Sequence, residues 1–231
     1  TDMYWRIIRI NGDGSIRMIY SGVKAPTEST KVIKTEDTSL GNSQFNESLN
    51  SAEYVGYMFT EGQQHGNGTP STIKTAIDNW YKTTTLETDL KTKSLVSKDQ
   101  IFCNDRSPSS TQTAAWTSTG STYNYGAGGR LINKKKPQFI CPIASDKFTV
   151  NTSNGNGALT YPVGLITADE IAMAGVVWNS VNSSYYLYTN QNYWLGSPES
   201  INGGFASGLF VLSSGSLYSN FVDDAYGARP V

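Results

Sequence analysis

Charge is what this sequence has least of. Lys, Arg, Asp and Glu make up 16% of 231 residues, against the roughly 25% usual in a soluble domain, and the formal net charge is −1. A chain so balanced has no basic face for gathering phosphates through counterion release, so a nucleic-acid partner is not expected. The one basic run, Lys134-Lys135-Lys136 before Pro137, reads as a solvated loop. Long apolar runs are missing too. Nothing approaches the ~20 residues of a membrane-spanning helix, so no membrane insertion by this segment is expected. No charged-then-apolar leader opens the chain, and Thr1-Asp2-Met3 runs almost at once into a strand; the expectation is that a leader or anchor has been removed.

Histidine is scarcer still. His65, in EGQQHGNG, is the single one, and its glycine-rich setting reads as an exposed loop with a structural or incidental role. A Ser-His-Asp arrangement would have to use it, and no GxSxG elbow accompanies it. A zinc site would need His65 together with the two cysteines. The glycine motifs NGDGS and GAGGR lack the strand, helix and lysine of a phosphate cradle. Of the carboxylates, Asp169 and Glu170 are accounted for by a helix N-terminus. Asp223 and Asp224 would point to opposite faces of a strand. In a loop they would hold calcium only if six or more oxygens gathered there, and no EF-type spacing supplies them. No catalytic residue, metal or cofactor is therefore expected. A glycan-acting enzyme built on Glu47, Glu53 or Asp224 would require two carboxyl groups roughly 5–10 Å apart in a cleft.

Only two cysteines occur, in the similar settings IFCNDRS and QFICPIAS. No CxxC motif is formed. In an oxidising compartment a Cys103–Cys141 bridge would stabilise the fold by roughly 3–4 kcal/mol; the alternative is a pair of reduced core cysteines.

Hydroxyls, amides and aromatic rings fill the space that charge leaves, a balance typical of secreted and surface proteins, so an extracellular or cell-surface location is expected. The opening YWRIIRINGDGSIRMIYSG has two β-branched-rich runs flanking Asn11-Gly12-Asp13-Gly14, a hairpin signature. With apolar residues on both faces of each run, the hairpin should be largely buried. From Val23 to about Glu53 the pattern is polar and reads as loop with room for short strands. YVGYMF at 54–59 is a candidate strand. Thr69-Pro70 reads as N-cap and first residue of a helix whose core face is Ile73, Ala76, Ile77, Trp80 and Tyr81, and a second short helix is expected around Leu86 to Leu90. In LITADEIAMAG, Thr167 and Glu170 form a capping box, Ile166 and Ile171 a hydrophobic staple, and Gly175 the C-terminal stop. After Asn182 only strands and turns remain: YYLYT, YWLGS, ASGLFVLS, SLYSNFV and ARPV. Helices early and a meander late predict one α+β domain over residues 1–231 with antiparallel sheets.

WRIIRINGDGSIRMIYSG, STIKTAIDNWY, FCNDRS, GLITADEIAMAG, YYLYT, YWLGSPES and AYGARPV together resemble a family of uncharacterised bacterial surface proteins, some with a prepilin-like or lipoprotein leader. The W-L-x-S-P segment and the final GARPV also look like the end of C-type-lectin-like domains, among them formylglycine-generating enzymes and retroelement-diversified variable proteins. The resemblance implies that Trp194, Ser197 and Pro198, and Gly227, Arg229 and Pro230, are scaffold, and that WRIIRI and ARPV are neighbours. It also implies limits. The cysteines of formylglycine-generating enzymes have no counterpart near this C-terminus, and the EPN, QPD and WND motifs of sugar-binding C-type lectins are absent.

Six of the fourteen tyrosines, with Trp194, fall between residues 185 and 226 among Asn, Ser, Asp and Gly. Tyr and Trp give contact area for few rotatable bonds, while small polar residues give adaptable hydrogen bonding, as in paratopes. Alternate residues of each strand must nevertheless face inward, so roughly half of these rings would be core. The expected contact surface is Tyr186, Tyr188, Asn190, Asn192, Tyr193, Glu199, Asn202, Phe205, Tyr218, Asn220, Asp223 and Tyr226, binding a protein or glycan ligand on a cell or phage surface. The competing expectation is a structural subunit whose partners are copies of itself, which would need a large, apolar, self-complementary patch.

Overall fold

A computed structural model describes residues 2–25, 38–120 and 122–231. The architecture mixes a few short helices with antiparallel sheets. Its centre is a six-stranded sheet made largely by the end of the chain: β9 (Tyr193–Asn202), β10 (Phe205–Val211), β11 (Leu217–Phe221) and β12 (Ala225–Gly227), joined by β3 (Asn42–Gln44) in the order β11-β10-β9-β12-β3, while β7 (Thr122–Asn124) pairs with the far end of β9. β9 to β11 follow the meander that the sequence predicts. The β9–β10 turn uses Gly203 and Gly204 at φ +60° and +84°, the pair of positive φ values that matches a two-residue hairpin to the strand twist. YYLYT forms no strand; it is a turn-rich segment that lays Tyr185, Leu187 and Tyr188 into the core.

Three two-stranded ribbons surround the sheet: β1 (Trp5–Ile10) with β2 (Ile16–Tyr20), β4 (Met58–Phe59) with β5 (Thr69–Pro70), and β6 (Phe102–Cys103) with β8 (Lys147–Phe148). The β1–β2 hairpin turns at the expected residues but is not largely buried. Its inner face holds Arg17 and Ile19, whereas Ile7, Ile10, Ile16 and Met18 are 40–69% exposed. One side of the ribbon packs on the body, and among the described residues none buries the other.

Helix α1 (Thr72–Tyr81) starts two residues later than Thr69-Pro70 suggests, because those residues are taken by β5; Ser71 is the N-cap, its side chain accepting from the Lys74 amide. Ile73, Ile77 and Tyr81 form the buried face as the spacing predicts. Two short turns of helix follow, α2 (Thr85–Thr88) and α3 (Leu90–Leu95), and α4 (Gly126–Gly128) leads into a π-turn at Gly129–Lys134. In α5 (Ala168–Met173) both halves of the Thr167/Glu170 capping box are present, and Ile166 and Ile171 are fully buried. The stretch 54–59 is only partly strand, since Ala52–Val55 coils into a 3-10 turn before β4.

Two covalent and ionic ties hold the loops. Cys103 and Cys141 form a disulfide with Cα atoms 5.7 Å apart. Asp146, fully buried, accepts from the Arg106 backbone amide at 2.7 Å and pairs with the Arg106 guanidinium at 2.7 Å, and His65 Nδ1 lies 3.1 Å from the same carboxylate. His65 is thus half-buried against an ion pair, with a definite structural partner. Arg106 also donates to the carbonyls of Met58 and Gly66, so a single buried cation pins three segments.

The chain end is scaffold. Arg229, fully buried, donates to the carbonyls of Thr38, Leu187 and Tyr20 and lies 4.7 Å over the Tyr193 ring. The N-terminal ribbon does meet the C-terminal segment, one strand over from the expected contact: the Tyr20 amide in β2 donates to the Pro230 carbonyl at 2.8 Å, while WRIIRI itself forms the other strand of the ribbon.

Candidate recognition surface

Strand register lines up the aromatic rings. Phe210 faces Tyr218 across β10–β11 and Trp194 across β10–β9, so the three rings share one face of the sheet. Tyr226 joins them from β12, stacked on Phe210 with centroids 4.4 Å apart and tilted against Trp194 at 5.1 Å. At the other end Trp178, in the loop after α5, lies parallel to Tyr218 at 5.3 Å. The outcome is a continuous row: Trp178, Tyr218, Phe210, Tyr226, Trp194. Trp194 and Phe210 are buried, whereas Tyr218 is exposed and Trp178 and Tyr226 are half-exposed.

Amides border the row. Asn220, two residues from Tyr218 on the same strand face, donates from Nδ2 to the Tyr226 hydroxyl at 2.6 Å. Asn179, beside Trp178, and Asn190 both adopt left-handed backbone at φ 50° and 59°, which Asn tolerates better than most side chains. Asn192 accepts from the Ser213 amide at 2.7 Å and, through its carbonyl, from Gly227, tying the β10–β11 turn to the closing strand.

The twelve residues expected at a contact surface do not form one surface. Tyr218, Asn220 and Tyr226 belong to the row, and Asn190 and Asn192 stand on loops near its scaffold. Asn202 and Phe205 are exposed at the β9–β10 turn, where Phe205 packs 5.5 Å from Phe221; strand alternation places that pair on the face opposite Phe210 and Tyr218. Tyr186 is exposed on the flank, its hydroxyl donating to Ile8 and its carbonyl accepting from Arg6. Glu199 is half-buried beside Gly128 of α4; burial pushes its carboxyl above the usual range, and a hydrogen bond from Ser200 only partly offsets this. Asp223 sits in the β11–β12 turn, where its carbonyl accepts from Gln44.

Two of the twelve are core. Tyr193 is 1% exposed, with Arg229 over its ring and its hydroxyl 3.3 Å from that of Tyr185. Tyr188 is 6% exposed and donates to the Ser213 carbonyl. Alternation fails at Tyr193 because both faces of β9 are covered, so Tyr193 and Trp194 are buried as neighbours. Trp178 is the residue that sequence reasoning missed. Its one signal was a large ring between Val177 and the turn-forming Asn179.

Among the carboxylates weighed for catalysis, Glu53 is buried and accepts from Ser118 Oγ at 2.6 Å and from the Gly62 amide, a structural role. Asp224 is half-buried in the β11–β12 turn. Glu47 is exposed and shares an open cleft of about 960 Å³ with Glu61, Tyr54 and Phe59. Among the described residues, no group of three or more His, Cys, Asp or Glu side chains converges as a metal site, and no helix is long and apolar enough to cross a membrane. Comparison with protein-family profiles, with curated proteins and with solved structures finds no match to this chain.

Proposed function

We propose that this chain is an extracellular recognition domain of C-type-lectin-like architecture that presents Trp178, Tyr218 and Tyr226, braced on the buried Phe210, to a protein or glycan partner without transforming it. The row itself carries the reading. Each exposed ring is braced by a neighbouring ring or an amide, so little side-chain entropy is left to lose when a partner arrives, and large rings flanked by Asn and Ser are the chemistry of adaptable paratopes. The Cys103–Cys141 bridge supports an oxidising location. The meeting of β2 with Pro230 and the scaffold roles of Trp194 and Arg229 support the lectin-like arrangement, as does the resemblance of the YWLGSPES and GARPV segments; that resemblance also motivates reading the terminal region as one that a retroelement diversifies. Arrays of glycans and of surface proteins, probed with the purified domain, test the proposal. Binding that Tyr218→Ala and Trp178→Ala both abolish is the expected result; hits untouched by either variant count against it.

One observation favours a second reading, a glycan-acting enzyme: the cleft where Glu47 and Glu61 accompany Tyr54 and Phe59. Product analysis after incubation with a panel of oligosaccharides decides it, and intact substrates throughout remove it.

A further inference from the structure

The outer face of the N-terminal ribbon is a separate surface from the aromatic row. Register sets Ile7 opposite Met18 and Ile10 opposite Ile16, so four aliphatic side chains tile one face of a two-stranded sheet. They are 49%, 40%, 69% and 48% exposed. The charged neighbour on β2, Arg17, points the other way into the body, where it is 1% exposed and paired with Glu170. Beyond β2 the apolar surface continues into a groove of about 720 Å³ whose walls include Ile16, Met18, Leu86 and Leu95, the last 85% exposed.

We infer that this face is covered by a second copy of the chain, the two ribbons stacking face to face about a two-fold axis. Three observations select that occupant. First, the four ribbon side chains carry no charge, so two copies can meet without like-charge repulsion, and an isologous contact needs only a surface complementary to itself. Second, the size is right. Together with Leu95 across the groove these residues expose on the order of 500 Å² per copy, enough for the apolar centre of an interface whose standard size is roughly 800 Å² per partner and in the upper part of the range of a monomer's largest apolar patch, which is often a functional one. Third, the inner face of the ribbon is already packed on the body through Arg17 and Ile19, so a second ribbon about 10 Å from the outer face supplies the layer that an apolar sheet face calls for. The pairing leaves Tyr218 and Tyr226 uncovered, since they lie on another sheet, and would give the recognition surface two copies.

Sedimentation equilibrium from about 1 µM to about 1 mM tests this, a range bracketing weak and moderate association. The wild-type mass is expected to rise from 25.2 kDa toward twice that value and to stop there. Ile10→Lys combined with Met18→Lys is expected to hold the monomer mass throughout, and the single Ile10→Thr, at the most exposed position, is expected to weaken association at least tenfold while melting as the wild type does. Tyr218→Ala should associate normally. A wild-type chain that remains at 25.2 kDa across the range overturns the inference, as does association beyond the dimer or association equally strong in the Ile10 variants.

Discussion

Trp178 and Tyr218 lie face to face, 5.3 Å apart and only 5° from parallel, although one belongs to the loop after α5 and the other to strand β11. A backbone bridge between Trp178 and Leu217 fixes them, so the stack joins the helical part of the chain to its terminal meander at the exposed end of the aromatic row. An aromatic pair of this kind contributes about 0.5–1.5 kcal/mol beyond its buried area. Trp178→Ala should therefore lower stability by no more than about 2 kcal/mol while costing a partner at least tenfold in affinity, the scale of an interface hot spot. Thermal melts and titration against any array hit measure the two effects separately; a large loss of stability with unchanged affinity would make the pair a packing feature alone.

The Cys103–Cys141 bridge spans a loop that carries Asp105, Arg106 and the π-turn with Arg130. Replacing both cysteines by serine should cost about 2–4 kcal/mol, a fall in Tm of roughly 5–15 °C for a domain of this length. A scan with and without reductant gives the same comparison on the unaltered chain. If Tm does not move, the loop is held by Arg130 with Asp105 and Asp169.

Asp146→Asn should be more damaging than loss of His65. It leaves Arg106, which is fully buried, as a cation without its carboxylate, a change that costs about 3–5 kcal/mol. His65 is 30% exposed on its side chain, and His65→Ala should cost less than about 1 kcal/mol, as partly solvated pairs do. Denaturant melts of the two variants check the ranking, and equal losses would contradict it.

These contrasts show what one-dimensional pattern carried. The Thr167/Glu170 capping box, the Asn11–Gly14 turn and the buried face of α1 are local: spacing and residue chemistry determine them, and all three were legible. The cysteine pairing was legible because only one partner existed for each. What failed was decided at long range. Thr69 and Pro70 looked like a helix start until Met58 and Phe59 paired with them. Tyr193 looked like an exposed aromatic because alternation assumes one free sheet face, and β9 has none at that point. The outer face of β1–β2 looked buried because its aliphatics are what burial requires, yet among the described residues they stay 40–69% exposed. Trp178 joined the row through a contact with Tyr218 that no sequence periodicity encodes.

Glu170 and Glu199 should respond to pH in opposite senses. Burial alone would raise the Glu170 carboxyl, but Arg17, the Thr167 amide and Arg9 together hold it below the usual value. A depressed folded-state pKa means stability that is present above the unfolded value and lost as pH falls through the folded one. Glu170→Gln should therefore destabilise the protein at neutral pH, by about 3–5 kcal/mol because Arg17 stays buried without its partner, and the deficit should narrow in acid. At Glu199 burial outweighs the Ser200 hydrogen bond and the carboxyl is raised. Its ionised form burdens the folded state at neutral pH, and that burden is relieved as pH falls through the raised value. Glu199→Gln should consequently raise Tm at neutral pH, with the gain shrinking to nothing once the solution is acid enough to protonate the wild-type side chain in both states. Melts of both variants from neutral to acid pH give the test. A Glu199→Gln gain that persists in acid would assign the effect to packing instead of charge.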